Sequence, residues 1–436
     1  MDQLFDVAVV GAGASGVLLA AHYRRTKPSG RLALIDAGAR AARGLAYGTP
    51  YGAHLLNVPA ARMSAFSSEP DHFLRWLERH LPGAEATTFA PRKHFGDYLH
   101  EVLQQSGADR VGGTAVGATR AGELWSVHLH DGRIVNARSL VLALGNLPPA
   151  DPLRLGADAP AGYLRDPWAP GAALGLDHDA VVLMVGTGLT MVDLALALRH
   201  EGHRGVIHAI SRGGRLPQAH RAGPLPGVEL WPESATPRKT AHWLRKQLER
   251  GWDWRQVVDG MRPHTTEIWR GWTLTQRASF LRHARNLWDV HRHRMAPEVA
   301  AEIENLQRDG SLRIHRGRIV SLSGDIDVNW RPFGADREQT IRVARVINCT
   351  GPATDYERIE LPLAMQMRRA GWIVPDPLRL GVETDADGML IGADGKPVPG
   401  LYTMGPLRRP SLWESTAIPD IRNQAAALAG LLSPEP

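Results

Sequence analysis

Apolar positions along this chain change their spacing several times, and those changes divide it into units. Phe5-Asp-Val-Ala-Val-Val10 is a short apolar run that leads directly into Gly11-Ala-Gly13-Ala-Ser15-Gly16. Val17–Arg25 then reads as a helix, and Arg31-Leu-Ala-Leu-Ile35 as a second short strand closed by Asp36. Short runs that are apolar on both faces suit strands buried inside a parallel sheet. Strand, glycine turn, helix, strand and acid together predict the βαβ unit that binds dinucleotides. Gly11 permits the tight turn, Gly13 lets backbone N–H groups approach a pyrophosphate, and Gly16 brings the helix close to the sheet. The phosphates would rest on the positive end of the helix dipole, with Ser15 inside the turn. Asp36, twenty residues past Gly16, would accept hydrogen bonds from a ribose diol.

The same pattern returns near the middle of the chain. Ala180-Val-Val-Leu-Met-Val185 runs into Gly186-Thr-Gly188-Leu-Thr190-Met191-Val-Asp193, and Leu194–Glu201 continues as a helix. The next strand, Gly205–Ile210, ends at Ser211-Arg212 instead of an acid. An arginine at that strand end suits a 2′-phosphate, which favours NADPH over NADH. Gly186, Gly188, Thr190, Ser211 and Arg212 are therefore the expected contacts of a second nucleotide. Met191 holds the third glycine position and would push the helix away from the sheet. A Rossmann repeat kept only for packing is the alternative. Two further strands lead into glycines, Leu140–Leu144 before Gly145 and Val343–Cys349 before Gly351. They fit crossovers between an FAD domain and an inserted NADPH domain, with Cys349 as a small core residue.

Residues 235–294 lack the short β-branched runs of a parallel strand. Seven of the thirteen tryptophans fall between Trp231 and Trp288. Gln276–His291 places Phe280, Leu281, Ala284, Leu287 and Trp288 on one face, which predicts an amphipathic helix. The stretch reads as a helical insertion over the nucleotide domains. It is also basic, with thirteen Lys/Arg against five Asp/Glu between Thr236 and Arg294, an excess larger than the net charge of +6. Such a surface steers phosphates or acidic substrates. Binding of single-stranded nucleic acid is disfavoured, because tryptophans at helical spacing more often form core.

A single cysteine, Cys349, leaves no pair for a disulfide or a CxxC redox centre, which argues against the disulfide-reductase branch of flavoenzymes and suits a reducing, cytoplasmic setting. No run approaches the roughly 18 apolar residues of a membrane span. The start of the chain reads as a core strand and not as a signal peptide. His291 and His293 are two apart on a helix and point in different directions, so a metal site is not expected. Arg292 and Arg294 contact NADPH phosphates or the neighbouring domain, or form a solvated face. His220 and Arg221 are candidates for the adenosine phosphate.

Both glycine turns, with further stretches, resemble bacterial FAD/NAD(P)-binding flavoproteins related to class B flavin monooxygenases, including N-hydroxylating enzymes. Those stretches are Gly44-Leu-Ala-Tyr47-Gly48-Thr, Leu56-Asn57-Val-Pro59-Ala60, Pro91-Arg92-Lys-His-Phe-Gly96-Asp-Tyr98-Leu, Arg165-Asp-Pro-Trp168, Trp288–Arg294 and Gly405–Pro419. The resemblance spans nearly the whole chain. It implies that Asn57 and Met63 lie near the isoalloxazine ring, and that Gly405 and the turn Thr416-Ala-Ile418-Pro419 close the flavin site. The last helix, Asp420–Leu432, would then aim at the ring, and Trp413 joins Asn57 and Met63 as a candidate catalytic residue. An ordinary capped helix start is the alternative for Trp413–Thr416. Baeyer–Villiger relatives carry an FxGxxxHxxxW linker, whereas Gly162–Trp168 has no histidine between its Gly and Trp, so ketone oxygenation is disfavoured.

The expectation is an α/β chain with two Rossmann-like domains and a helical insertion. Residues 1–150 and 346–436 would form the FAD domain, 151–230 and 301–345 the NADPH domain, and 231–300 the insertion. The implied activity is FAD- and NADPH-dependent oxygenation by O₂ of a small polar substrate, such as an amine nitrogen, through a C4a-hydroperoxyflavin. A reductase that passes electrons to a partner, or a flavin-bound redox sensor, are the alternatives.

Overall fold

The structure, a computed structural model, describes residues 4–38, 42–169, 171–221, 236–324 and 326–433. Trp231, the first tryptophan of the aromatic cluster, lies outside the described residues. The first sheet contains β1 (Leu4–Val10), β2 (Leu32–Asp36), β3 (Asp109–Gly112), β4 (Ala115–Ala121), β5 (Leu124–Leu129) and β6 (Ile134–Leu142). The second contains β7 (Tyr163–Leu164), β8 (Val182–Val185), β9 (Ile207–Ser211), β10 (Leu312–Ser323), β11 (Asp327–Pro332), β12 (Gln339–Arg342) and β13 (Arg345–Asn348). The chain then returns to the first sheet through β14 (Met389–Ile391) and β15 (Pro397–Thr403).

The two sheets share one plan. The first runs β14-β15-β6-β1-β2-β3, with β15, β6, β1, β2 and β3 parallel. The second runs β12-β11-β10-β9-β8-β13-β7, with β10, β9, β8, β13 and β7 parallel. Each parallel core carries an antiparallel meander, β4-β5-β6 in one and β10-β11-β12 in the other. β1 and β8 therefore hold equivalent central places, and each is followed by a glycine turn and a helix. These helices span Ala14–Thr26 and Leu189–His200. Their strands are buried on both faces: Val7–Val9 and Val182–Met184 are almost wholly inaccessible.

β13 pairs with β8 and β7, so the chain leaves the second sheet only after Asn348. The two crossovers run side by side there, with Leu147 bridged to Ala353 and the Asn348 amide donating to the Ala150 carbonyl at 2.9 Å. Cys349 is buried in the core of the second sheet, and burial pushes its thiol pKa up.

The stretch 236–294 is helical, as its composition predicts, but Gln276–His291 is not one helix. Helix Leu274–His283 ends at Ala284 (φ −119°), and a new helix runs over Arg285–Arg292. No proline or glycine marks the break. It leaves Phe280, Leu281, Ala284 and Trp288 in one aromatic core while Leu287 stays half exposed. Among the described residues, no helix is long and apolar enough to cross a membrane.

Candidate functional site

The two glycine turns are nearly superimposable in backbone geometry. Gly11 has φ 110° and Gly186 φ 114°, a region that favours glycine. A Cβ on Gly11 would stand 2.3 Å from the Ala143 carbonyl oxygen, and one on Gly186 would stand 2.6 Å from that of Cys349. Each first glycine is therefore pressed between its strand and the neighbouring crossover. The second glycines differ from the first in kind. Gly13 (φ −77°, ψ −171°) and Gly188 (φ −85°, ψ −170°) are the N-caps of their helices, and neither has a side-chain cap. A Cβ on Gly13 would find only the Gly44 Cα within 4 Å, and one on Gly188 would find nothing. Open space in front of free helical N–H groups is what a pyrophosphate needs. The residues present fit a dinucleotide at both turns.

The third positions separate them. A Cβ on Gly16 would lie 2.0 Å from the Gly11 carbonyl oxygen. Met191 is fully buried in the second core. The second helix start therefore accommodates a buried side chain where the first has no room for one. The strand ends differ too. Asp36 closes β2, and burial raises its carboxyl pKa despite backbone hydrogen bonds from Gly38 and Ala37. Ser211 closes β9: its hydroxyl accepts from Gly214 N at 2.9 Å and lies 2.9 Å from the Thr187 hydroxyl, which donates to the Arg215 carbonyl. Arg212 follows and is exposed. Arg316 is the β10 residue in register with Ser211, so two arginines flank this strand end.

The C-terminal segment closes over the first turn. A Cβ on Gly405 would meet the Ser15 hydroxyl at 2.8 Å, and Gly405 N donates to the Gln424 side-chain oxygen at 2.9 Å. The Gln424 amide nitrogen and the Ser415 hydroxyl are buried with no protein partner among the described residues. Unpartnered buried polar atoms are rare in a finished interior, and a bound cofactor would satisfy them. The last helix spans Ile418–Leu431 with Ala417 as N-cap and no side-chain cap, so Trp413–Thr416 is not a capped helix start. Gly145 and Gly351 both have positive φ with open space around them, and Thr190 is partly accessible in the first turn of its helix.

Asn57 sits on a loop held by three regions. Its carbonyl accepts from His220 Nε2 at 3.0 Å. Beside it, His54 Nε2 donates to the Asp193 carbonyl at 2.8 Å, and Arg92 donates to Leu55 O. Arg92 also forms a two-pronged, mostly buried ion pair with Asp193 at 2.7 and 3.1 Å. Asp193, just past the second turn, thus ties the second nucleotide unit to the Asn57 loop. Met63 is 2% exposed and packed within the first core, in the same cluster as Leu56 and Ala60. His220 is committed to Asn57 and packs on Phe89, while Arg221 lies 3.9 Å from Asp253. Burial lowers the His220 pKa to about 4, and Arg294 and Arg292 act in the same direction, so its ring is neutral near pH 7.

A layer of ion pairs joins the helical insertion to the C-terminal segment. Arg292 pairs with Glu414 at 3.1 Å, with both side chains under a tenth exposed, and Arg262 pairs with Asp420 at 3.3 Å. Arg294, 3% exposed, holds Asp259 through two hydrogen bonds. Neither Arg292 nor Arg294 forms the solvated face that their spacing allows; Arg292 is spent on a buried pair, and Arg294 is buried while its partner Asp259 stays partly exposed. Trp413 (φ 61°) stacks on Trp269 at 4.7 Å, under the guanidinium of Arg409.

Comparison with known proteins decides the family of the first unit, because residues 8–147 match the family model described as FAD-NAD(P)-binding. This stretch is a FAD-NAD(P)-binding domain. No protein of curated function matches the chain in sequence. Solved structures similar to it over its full length extend the FAD-NAD(P)-binding fold to the second sheet and the insertion. L-lysine 6-monooxygenase from Pseudomonas syringae superimposes with a TM-score of 0.70 at 16% identity, covering 98% of this chain and 99% of that one. Ornithine hydroxylase from Pseudomonas aeruginosa gives 0.67 at 15% identity, covering 99% of each chain. Bacillithiol disulfide reductase from Staphylococcus aureus gives 0.59 at 11% identity, covering 98% and 97%. At these identities the likeness establishes the fold that the FAD-NAD(P)-binding domain belongs to, and both oxygenases and reductases share it.

Proposed function

We propose that this chain is an NADPH-dependent flavin monooxygenase acting on a small organic molecule. The carrying observation is the second glycine turn, whose backbone repeats that of the first while its strand ends at Ser211-Arg212. FAD at the first turn would contribute Gly11, Gly13, Ser15, Gly16 and Asp36 as contacts, with Gly145, Gly405, Thr416 and Ile418 around its ring end. NADPH at the second would take Gly186, Gly188, Thr190, Ser211 and Arg212, with Gly351 at the crossover. Bound FAD supplies the redox chemistry, accepting a hydride from NADPH and, once reduced, activating O₂.

The protein's share is positioning and exclusion of water. Asn57 presents its side chain from a loop fixed by the Arg92–Asp193 pair and by His220. Met63, buried in the first core, and Trp413, stacked on Trp269 beside the Glu414–Arg292 pair, would line the site. The helix Ile418–Leu431 turns its positive end toward the site, which favours negative charge there. An electron-transfer reductase of the dithiol kind is disfavoured, since the one cysteine is buried in the second core. The lysine monooxygenase and ornithine hydroxylase support the oxygenase reading by shared architecture. One feature favours a flavin-bound sensor instead, namely Met191 in the third position of the second turn.

The test is a balance of NADPH, O₂ and hydrogen peroxide across a panel of amines and aromatic compounds. A monooxygenase shows at least one compound that raises NADPH oxidation, lowers the peroxide yield and gains an oxygen atom by mass. A reductase transfers electrons to an added acceptor with no oxygenated product, and a sensor consumes no NADPH.

A further inference from the structure

The helical insertion forms a half-open cavity of about 350 Å³, apart from the two glycine turns. Five helices build it, spanning Pro237–Glu249, Trp254–Met261, Thr265–Gly271, Leu274–His283 and Arg285–Arg292. Its walls carry Trp254, Trp269, Trp272, Trp288 and Phe280, and Trp413 of the C-terminal segment closes one side. We infer that this cavity binds a small, apolar, aromatic molecule, which on the monooxygenase reading above is the substrate.

Three observations converge on that ligand class. The volume falls in the range of small-molecule pockets, and the cavity is a concave, largely apolar cleft of the kind that binds small ligands. Small side chains, Ala241, Thr240 and Ala284, face it where larger ones could have filled it. Next, its chemistry is one-sided. No aspartate or glutamate is among the described lining residues, so among them an ammonium group would find no counter-ion. The one Lys or Arg in the lining, Arg245, is exposed at the mouth. Ring faces and edges instead suit a planar aromatic body.

The third observation is continuity with the reacting centre. Trp413 and His291 line the cavity, and their chain neighbours Glu414 and Arg292 pair with each other at 3.1 Å. Two dipeptides therefore cross, with one side chain of each in the cavity and the other in the ion-pair layer beside the helix Ile418–Leu431. A ligand in the cavity lies against the residues that close the flavin site. The substrate is then apolar over most of its body, in contrast to the small polar amine that the sequence resemblance implies.

Binding can be read without turnover. The FAD-loaded protein is titrated calorimetrically with 2-naphthol and, separately, with lysine. Ala241→Phe and Leu244→Trp each enlarge a wall residue on the helix Pro237–Glu249, outside the cofactor sites, so flavin content and the anaerobic rate of reduction by NADPH should not change. The expected result is 2-naphthol binding with a negative heat-capacity change, weakened about tenfold or more by either variant, and no binding of lysine. Absence of 2-naphthol binding, or binding that neither variant alters, overturns the inference. If 2-naphthol binding follows the variants yet no compound is oxygenated, the cavity assignment stands and the monooxygenase reading falls. If lysine is oxygenated and both variants leave binding and turnover untouched, the reading stands and the cavity assignment falls.

Discussion

The turns after β1 and β8 differ in one residue of their glycine spacing and in the residue at the following strand end. Gly11 and Gly186 share φ within a few degrees and touch the same kind of neighbour, a crossover carbonyl. Gly13 and Gly188 share an extended conformation at the helix N-cap. Yet Gly16 packs against its own turn, where Met191 fills the second core. The first two glycines thus set the backbone of the turn, while at the third position the two units differ in packing. A methionine there is accommodated without rebuilding the turn. The strand ends that follow also differ, with Asp36 in one unit and Ser211-Arg212 in the other.

The largest effects are expected where the roles of the first and second glycines are set against each other. Gly11→Ala should cost several kcal/mol, since the Cβ meets the Ala143 carbonyl oxygen at 2.3 Å from a left-handed backbone. Gly13→Val should leave the denaturation midpoint nearly unchanged yet weaken FAD retention by about tenfold or more, because its Cβ points into open space. Denaturant unfolding and flavin absorbance per chain measure both. Met191→Ala comes next: removing a fully buried side chain should cost about 3 kcal/mol, with little change in NADPH affinity if the turn is independent of that position. A large loss of NADPH binding in a folded Met191→Ala protein would contradict that independence.

Smaller effects isolate the strand-end difference. Arg212→Ala should raise the KM for NADPH about tenfold and leave that for NADH nearly unchanged, as expected if the guanidinium holds a 2′-phosphate. An equal effect on both nucleotides would contradict the assignment. The last effect, confined to acid pH, concerns the Asn57 loop. His220 titrates near 6.5 when unfolded and about 4 when folded, so as pH falls below 6.5 the unfolded chain takes the proton first. Stability is therefore lost between pH 6.5 and 4, by at most about 1.4 kcal/mol per pH unit from this one group. His220→Gln keeps a donor for the Asn57 carbonyl without titrating, and should flatten that part of the pH profile of the unfolding midpoint.

What the sequence disclosed follows from how local each feature is. Both turns were readable because strand, glycines and helix lie within about twenty consecutive residues, and the burial of β1 and β8 on both faces shows in their unbroken apolar runs. The residues that lock the site together were not. Arg92 meets Asp193 101 positions away, Arg292 meets Glu414 across 122, and His220 reaches Asn57 across 163. Such pairs leave no periodic trace. Arg292 and Arg294 illustrate the point, since their spacing suits a solvated helix face, yet Arg292 pairs with Glu414 of the C-terminal segment and Arg294 with Asp259 on another helix of the insertion. Asp193 carried the one available hint, an acid inside an otherwise apolar helix start, where a partner from outside the helix is to be expected. The break at Ala284 had no signal at all, lacking the glycine or proline that usually marks one.

Anaerobic mixing of the FAD-loaded protein with NADPH tests most directly that the second turn is a working nucleotide site. The account predicts that the oxidised flavin absorbance bleaches at a rate that saturates with NADPH concentration, that NADH does so only at much higher concentration, and that Arg212→Ala removes the difference. A flavin that dithionite reduces but NADPH leaves oxidised would contradict it, and would make the second unit a Rossmann repeat retained for packing.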